Sequence, residues 1–131
     1  MTERTLCFDH IHLFSPDPLA AAQWYVDHLG GTLSASVTVR GAPQVVLDFE
    51  GAMLIIRGRR AGEDPVFRQG LQWGIDHFGF TVRGDLDAYC NALKQKGVVF
   101  TVDPMDFGPS LRIAFLQAPD GVTIELLQRK G

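Results

Sequence analysis

The sequence predicts an α+β fold made of two βαβββ modules, and three observations lead there. Phe8-Asp9-His10-Ile11-His12-Leu13 and Ile75-Asp76-His77-Phe78-Gly79-Phe80 are near copies: an apolar residue, an Asp, a His, then an apolar alternation. Each copy is followed by a capped helical pattern and then by three strand-like stretches. The spacing also repeats, since the two histidines stand 67 residues apart (10 to 77) and the glycines of the last hairpins 70 apart (51 to 121). Offsets this close favour duplication over coincidence.

Taken in order, residues 5–15 read as a strand. Pro16-Asp17-Pro18 then offers a capping carboxylate at Asp17 and a proline at the first helical position. Leu19, Ala22, Trp24, Tyr25, Val26 and Leu29 give the helix an apolar stripe, and Gly30-Gly31 ends it. Residues 33–40, 44–49 and 52–59 read as three strands rich in Val, Leu and Ile, separated by Gly41-Ala42-Pro43 and by the Glu50-Gly51 turn. A polar connector spans about residues 60–73. Ile75 to Val82 is the next strand, Asp85 caps a helix running to about Lys96, and Gly97 stops it. Strands at about 98–103, 111–117 and 122–128 complete the second module, with Asp120-Gly121 turning the last hairpin. Residues 1–131 are therefore expected to form one domain, with modules at about 5–59 and 74–128.

Composition sets the environment. A chain of 131 residues, 46% hydrophobic and 21% charged, can bury a proper core as a soluble domain. Met1-Thr2-Glu3-Arg4 leads directly into a short mixed segment with no long apolar run or secretory signal, so a cytoplasmic location and no membrane partner are expected. A net charge of -3 argues against nucleic acid as a partner. Arg57, Arg59 and Arg60 form the only basic cluster, which reads as a solvated strand end. Cys7 and Cys90 fit neither a disulfide framework nor a zinc pattern and are expected to be small buried side chains.

Strand alternation assigns the faces. His10, His12 and Phe14 point one way, and Ile11 and Leu13 point toward the helix. Phe78, Phe80 and Val82 form the corresponding helix side of the second module, which leaves His77 with Gly79 and Thr81 opposite. In the last strand Ile124 and Leu126 are core, and Glu125 shares the other face with Thr123 and Leu127. A carboxylate isolated in an apolar strand needs a cation, a proton or strong hydrogen bonds. His10, His77 and Glu125 thus make a 2-His-1-carboxylate set suited to a divalent first-row metal with open coordination positions. His12 lies roughly 7 Å along the strand from His10, and near neutral pH it is the general acid or base candidate.

Asp9-His10 with Asp17, Trp24-Tyr25 ahead of Leu29-Gly30, Asp76-His77-Phe78-Gly79-Phe80, and Pro119-Asp120-Gly121 followed by Ile124-Glu125-Leu126 resemble the vicinal oxygen chelate superfamily over nearly the whole chain. That superfamily includes glyoxalase I, methylmalonyl-CoA epimerase, fosfomycin-resistance thiol transferases, extradiol dioxygenases and bleomycin-resistance proteins. The resemblance implies that the βαβββ sheets curl into a cup with helices outside, and that His10, His77 and Glu125 fall on three metal-ligand positions of its inner face. Aligning Gly51 with Gly121 puts Ile55 where glyoxalase I supplies a further carboxylate. Gln44 resembles a ligand of the epimerases, or else contacts substrate.

What the resemblance implies for function is a metal-dependent, glyoxalase-like lyase or isomerase. A divalent metal (Fe, Mn, Ni, Co or Zn) would chelate vicinal oxygens of a small-molecule substrate and stabilise an oxyanion, with His12 handling the proton. The alternatives are an Fe(II) extradiol-type dioxygenase using the same triad, and a metal-free small-molecule binding or resistance protein. Pro109-Ser110-Leu111-Arg112 is a poor match to the thiol transferases' loop, which makes fosfomycin an unsuitable substrate. Phe14, Phe49, Met105 and Phe107 are candidates for an apolar wall. By analogy, a homodimer is expected.

Overall fold

Each half of the chain winds a helix between its first and second strands and then lays three strands side by side. The computed structural model describes residues 4–130; the Met1-Thr2-Glu3 start, expected to carry no targeting signal, lies outside them. The elements are β1 (His10–Phe14), α1 (Pro18–Leu29), β2 (Thr32–Val39), β3 (Ala42–Phe49), β4 (Ala52–Arg57), β5 (Phe78–Thr81), α2 (Leu86–Gln95), β6 (Phe100–Asp106), β7 (Leu111–Gln117) and β8 (Thr123–Arg129). The expected α+β order, βαβββ twice, is therefore present. The chain divides into two compact units, residues 1–66 and 67–131.

In unit 1 the strand order is β1-β4-β3-β2, with β1 parallel to β4 and the other pairs antiparallel. Unit 2 repeats this as β5-β8-β7-β6, again with a parallel outer pair. The parallel pair follows from the crossover, because the helix carries the chain over the sheet before the antiparallel hairpins begin. Local chemistry fixes the turns and ends. The Asp17 side chain accepts a hydrogen bond from the Ala20 N–H, and Gly30 adopts the left-handed conformation that ends α1. Arg40 and Gly41 both have positive φ (50° and 82°), the two-residue hairpin geometry that matches strand twist. Asp120 and Gly121 also take positive φ (64° and 75°), but in the longer β7–β8 connection that contains a short 3-10 turn at Pro119–Gly121.

The core of each unit lies between helix and sheet. Ala21, Ala22 and Tyr25 of α1 are buried with Val45, Leu47, Leu54 and Ile56, while Leu86, Cys90 and Leu93 of α2 are buried with Ala114, Leu116, Ile124 and Leu126. Burial pushes the Cys90 thiol up to about 11. The opposite faces of the two sheets carry the candidate site residues.

Several expectations need correction. The first strand begins at His10 instead of residue 5, because its parallel partner begins only at Ala52 and the last ladder contact upstream is Met53 N–H to Asp9 O. Cys7 is consequently exposed, not buried. The second module's first strand likewise starts at Phe78, which leaves His77 at its threshold. Ala42 and Pro43 belong to β3 rather than to the turn. Phe49 is not wall material for an open face: it shares the helix side with Leu47, and its ring closes on Gly31, where an added Cβ would stand 2.8 Å from Cζ. Arg57 is not a solvated strand end but is buried (9% exposed).

Candidate functional site

Strand register sorts the open face of unit 1 into three rows running across the sheet. His10, Met53 and Asp48 form one row; His12, Ile55 and Val46 form the next; Phe14, Arg57 and Gln44 form the third. Unit 2 repeats the lattice. Gly79, Glu125 and Phe115 form its middle row, and Thr81, Leu127 and Ile113 the one beyond. His12 thus stands where unit 2 has Gly79, and Ile55 stands where unit 2 has Glu125. The alignment of Gly51 with Gly121 made from sequence is also the alignment of ladder partners.

Unit 2 brings two of the candidate ligands together. His77 Nε2 lies 2.9 Å from Glu125 Oε1. The other ring nitrogen, Nδ1, is 2.8 Å from Asp76 Oδ2, and the ring meets Phe115 edge-on with centroids 4.9 Å apart. Asp76 is itself tethered by Arg68, whose guanidinium reaches its Oδ1 at 3.3 Å and its carbonyl at 3.0 Å. The Asp76 hydrogen bond raises the His77 pKa; burial opposes this in part, and the Glu125 carboxylate adds to the rise. The same hydrogen bond holds the Asp76 carboxyl below its ordinary value. The Glu125 side chain is 17% exposed, so this acid is largely withdrawn from water with one imidazole against it.

Unit 1 repeats part of this arrangement. His10 Nδ1 is 2.6 Å from Asp9 Oδ2, so in both copies the residue before the histidine engages the same ring nitrogen. That leaves Nε2 as the nitrogen available to a ligand, and a carboxylate on the far nitrogen raises ligand basicity. The orienting roles of Asp9 and Asp76 were not anticipated, although the repeated Asp-His pair was their signal. Among the described residues, no group of three or more His, Cys, Asp or Glu is gathered closely enough to hold a metal ion.

His12 sits beside His10, ring centroids 6.1 Å apart and nearly edge-on. Partial burial lowers its pKa, and the charges of Arg57, His10 and Arg60 add to the effect. The shift favours the neutral imidazole. Gln44 is two strands across and four residues along from His10, roughly 16 Å by ordinary sheet spacings.

Glu63 organises the far row. Its carboxylate takes Arg57 Nη1 at 2.7 Å and Nη2 at 2.9 Å, and also accepts the Arg60 backbone N–H at 2.8 Å. These bonds pull the Glu63 pKa down to about 2. The Arg57 guanidinium also lies 4.2 Å from the centroid of the Phe14 ring. Nothing in the sequence pattern marks Glu63, which reaches Arg57 from six residues away across a turn.

The family model described as Glyoxalase/Bleomycin resistance protein/Dioxygenase superfamily matches residues 8–126. No curated protein matches the chain. Among solved structures, a glyoxylase/bleomycin resistance protein/dioxygenase domain from Frankia sp. EAN1pec superimposes with a TM-score of 0.77 at 19% identity, covering 99% of each chain. A glyoxalase family protein from Bacillus cereus gives 0.78 at 15% identity, covering 98% of this chain and 97% of its own. A glyoxalase I mutant from Zea mays gives 0.76 at 25% identity, with 93% of this chain matching 44% of that one. The match over residues 8–126, with the duplicated βαβββ order and the repeated Asp-His pairs, makes this chain a member of the glyoxalase/bleomycin resistance protein/dioxygenase superfamily.

Proposed function

We propose that the protein is a divalent-metal-dependent, glyoxalase-like enzyme, a lyase or isomerase, whose ligands are His10, His77 and Glu125. The carrying observation is the His77 Nε2 to Glu125 Oε1 approach at 2.9 Å with Asp76 on the other ring nitrogen. That pair is two-thirds of a 2-His-1-carboxylate donor set, and its chemistry fits Fe, Mn, Ni, Co or Zn. His10 is assigned as the third donor because it repeats His77 in sequence position and in its Asp-held Nδ1.

A bound divalent ion supplies Lewis-acid polarisation of vicinal substrate oxygens, stabilising an oxyanion. Asp76 and Asp9 hold the two imidazoles so that Nε2 faces the ligand side. Phe115 packs edge-on with the His77 ring and helps fix its orientation. His12, kept neutral by its surroundings, accepts the substrate proton at a ring nitrogen and returns it. Phe14 and Gln44 line the far end of the same face for substrate.

Val66, Phe67, Leu71, Trp73 and Ile75 expose a large apolar area in one short segment, 62% to 103% exposed each. Exposed apolar area of this kind favours association, and a second copy of the chain is the assigned partner. Light scattering on purified protein checks this, and a monomer at all concentrations overturns it.

The test of function is metal analysis of protein purified without chelator or affinity tag, followed by titration of the metal-free protein. One ion per chain is expected, with uptake lost in His77→Ala and Glu125→Gln. Absence of a stoichiometric ion, together with unchanged uptake in His77→Ala, sinks the reading and leaves a metal-free binding protein. Anaerobic turnover with Ni, Co or Mn separates the lyase or isomerase from an Fe(II) dioxygenase.

A further inference from the structure

The basic cluster at 57, 59 and 60 resolves into three arginines with different surroundings. Arg57 is buried, neutralised by both Glu63 carboxylate oxygens, and donates to the Gly58 carbonyl as well. Arg59 is exposed and gives its Nε to the Glu63 carbonyl at 2.6 Å. Arg60 differs: its backbone N–H is taken by Glu63, yet its side-chain Nε is withdrawn from solvent with no acceptor. A buried guanidinium donor without an acceptor is costly, and such groups are ordinarily satisfied by protein, water or ligand.

Two further observations locate this donor. Glu63 takes Arg57 with both carboxylate oxygens and accepts only the backbone N–H of Arg60, so it supplies no acceptor to the Arg60 Nε. Arg57 in turn lies on the open face of the unit 1 sheet, in the row of Phe14 and Gln44. The Arg60 charge is also felt at His12, one row nearer His10.

We propose that Arg60 receives an anionic group of the substrate, a carboxylate or phosphate oxygen, at the Phe14–Arg57–Gln44 end of the open face of unit 1. This deepens the enzymatic reading above and rests on it for the word substrate, but not for the site. The Nε and a neighbouring Nη form a planar fork that takes two oxygens of one anion side-on. The anion supplies the acceptor that the Arg60 Nε lacks. The Gln44 amide stands in the same row as a neutral donor. Arg57's row is four residues, about 13 Å, along β1 from His10. A substrate whose vicinal oxygens lie near His10 therefore carries its anionic group at the opposite end of a short chain or ring, not beside the reacting carbons.

The experiment uses metal-free, full-length protein and follows the arginine Nε–H resonances while inorganic phosphate or acetate is added. Arg60→Gln assigns the Arg60 signal. A saturable shift of that signal is expected, with the affinity lowered about tenfold, or 1.4 kcal/mol, in Arg60→Gln and unchanged in Arg59→Gln. Stronger binding of phosphate than acetate assigns a phosphate-bearing substrate; the reverse assigns a carboxylate. The proposal is overturned if the Arg60 signal does not move, or if Arg59→Gln and Arg60→Gln weaken binding equally, since a diffuse positive field would then suffice. His77→Ala separates the two readings: it abolishes metal uptake and leaves the anion titration unchanged. Metal uptake that fails while the Arg60 titration succeeds removes the enzyme and keeps the anion site.

Discussion

Ile55 and Glu125 occupy one lattice point in two sheets of the same topology, yet one is aliphatic and the other acidic. The neighbouring point differs in the opposite sense: unit 1 has His12 where unit 2 has Gly79. Unit 2 therefore concentrates its polarity in a His77–Glu125 pair flanked by Phe115, and unit 1 spreads it over His10, His12, Arg57 and Gln44. Duplication preserved what packs against the helices and released the opposite face. The helix side must satisfy close packing, which tolerates little change in volume, whereas the open face is limited mainly by solvation and charge.

If the helix sides are equivalent, equivalent core positions should lose stability alike. Leu54 and Ile124 stand at the same lattice point, 2% and 0% exposed. Leu54→Ala and Ile124→Ala should each cost about 2–5 kcal/mol in urea unfolding. A cost confined to one unit would show that the two halves do not contribute equally to the cooperative fold.

The difference at the second lattice point gives the next largest effect. A Cβ at Gly79 would stand 3.0 Å from the Glu125 carbonyl oxygen, 3.1 Å from Leu127 Cδ1 and 3.4 Å from Glu125 Cβ. Gly79→Ala should cost about 1–3 kcal/mol by overpacking and weaken metal uptake by displacing Glu125. His12→Ala, at the same point of unit 1, removes an exposed side chain, so it should leave stability within about 0.5 kcal/mol and lower turnover instead. Calorimetry and metal titration on the two variants check the contrast.

The far row predicts a pH dependence confined to unit 1. The folded-state pKa of Glu63 is depressed from 4.5 to about 2, so its contribution is fully present above 4.5 and disappears as pH falls through 2. Glu63→Gln should be less stable than the parent at pH 6 and equal to it near pH 2. A difference that persists at pH 2 would mean that the carboxylate charge is not the stabilising element. His77 behaves in the opposite direction: a raised pKa favours its protonated form, so metal uptake should begin to fail at a pH above the ordinary 6.5. Asp76→Asn should move that midpoint down.

These contrasts mark how far the sequence could be read. Helix ends were legible because Asp17, Asp85 and Gly30 act on their own neighbours. Faces were legible from alternation alone, and with them the pairing of His77 with Glu125 across the sheet. Strand starts were not legible, because the length of β1 is set by where β4 begins, a property of the partner. The burial of Arg57 was hidden for the same reason: a cluster of arginines looks solvated until Glu63 folds back onto it. The exposure of Cys7 follows from the missing ladder upstream of Asp9.

The smallest expected effect is the most direct probe of the shared lattice. Ile55 is half-buried on the open face, so Ile55→Glu places a carboxylate at the edge of water and not in the core. In unit 2 the equivalent carboxylate stands 2.9 Å from an imidazole whose other nitrogen is held by the preceding Asp. Unit 1 already has that imidazole and that Asp, at 2.6 Å. If the register is the determinant, the new Glu should set a carboxylate oxygen against His10 Nε2 as Glu125 does against His77. The ring-nitrogen chemical shifts of His10 in the metal-free protein read that contact. A His10 Nε2 shift unmoved by Ile55→Glu would mean that the equivalence of the two sheets stops at the backbone.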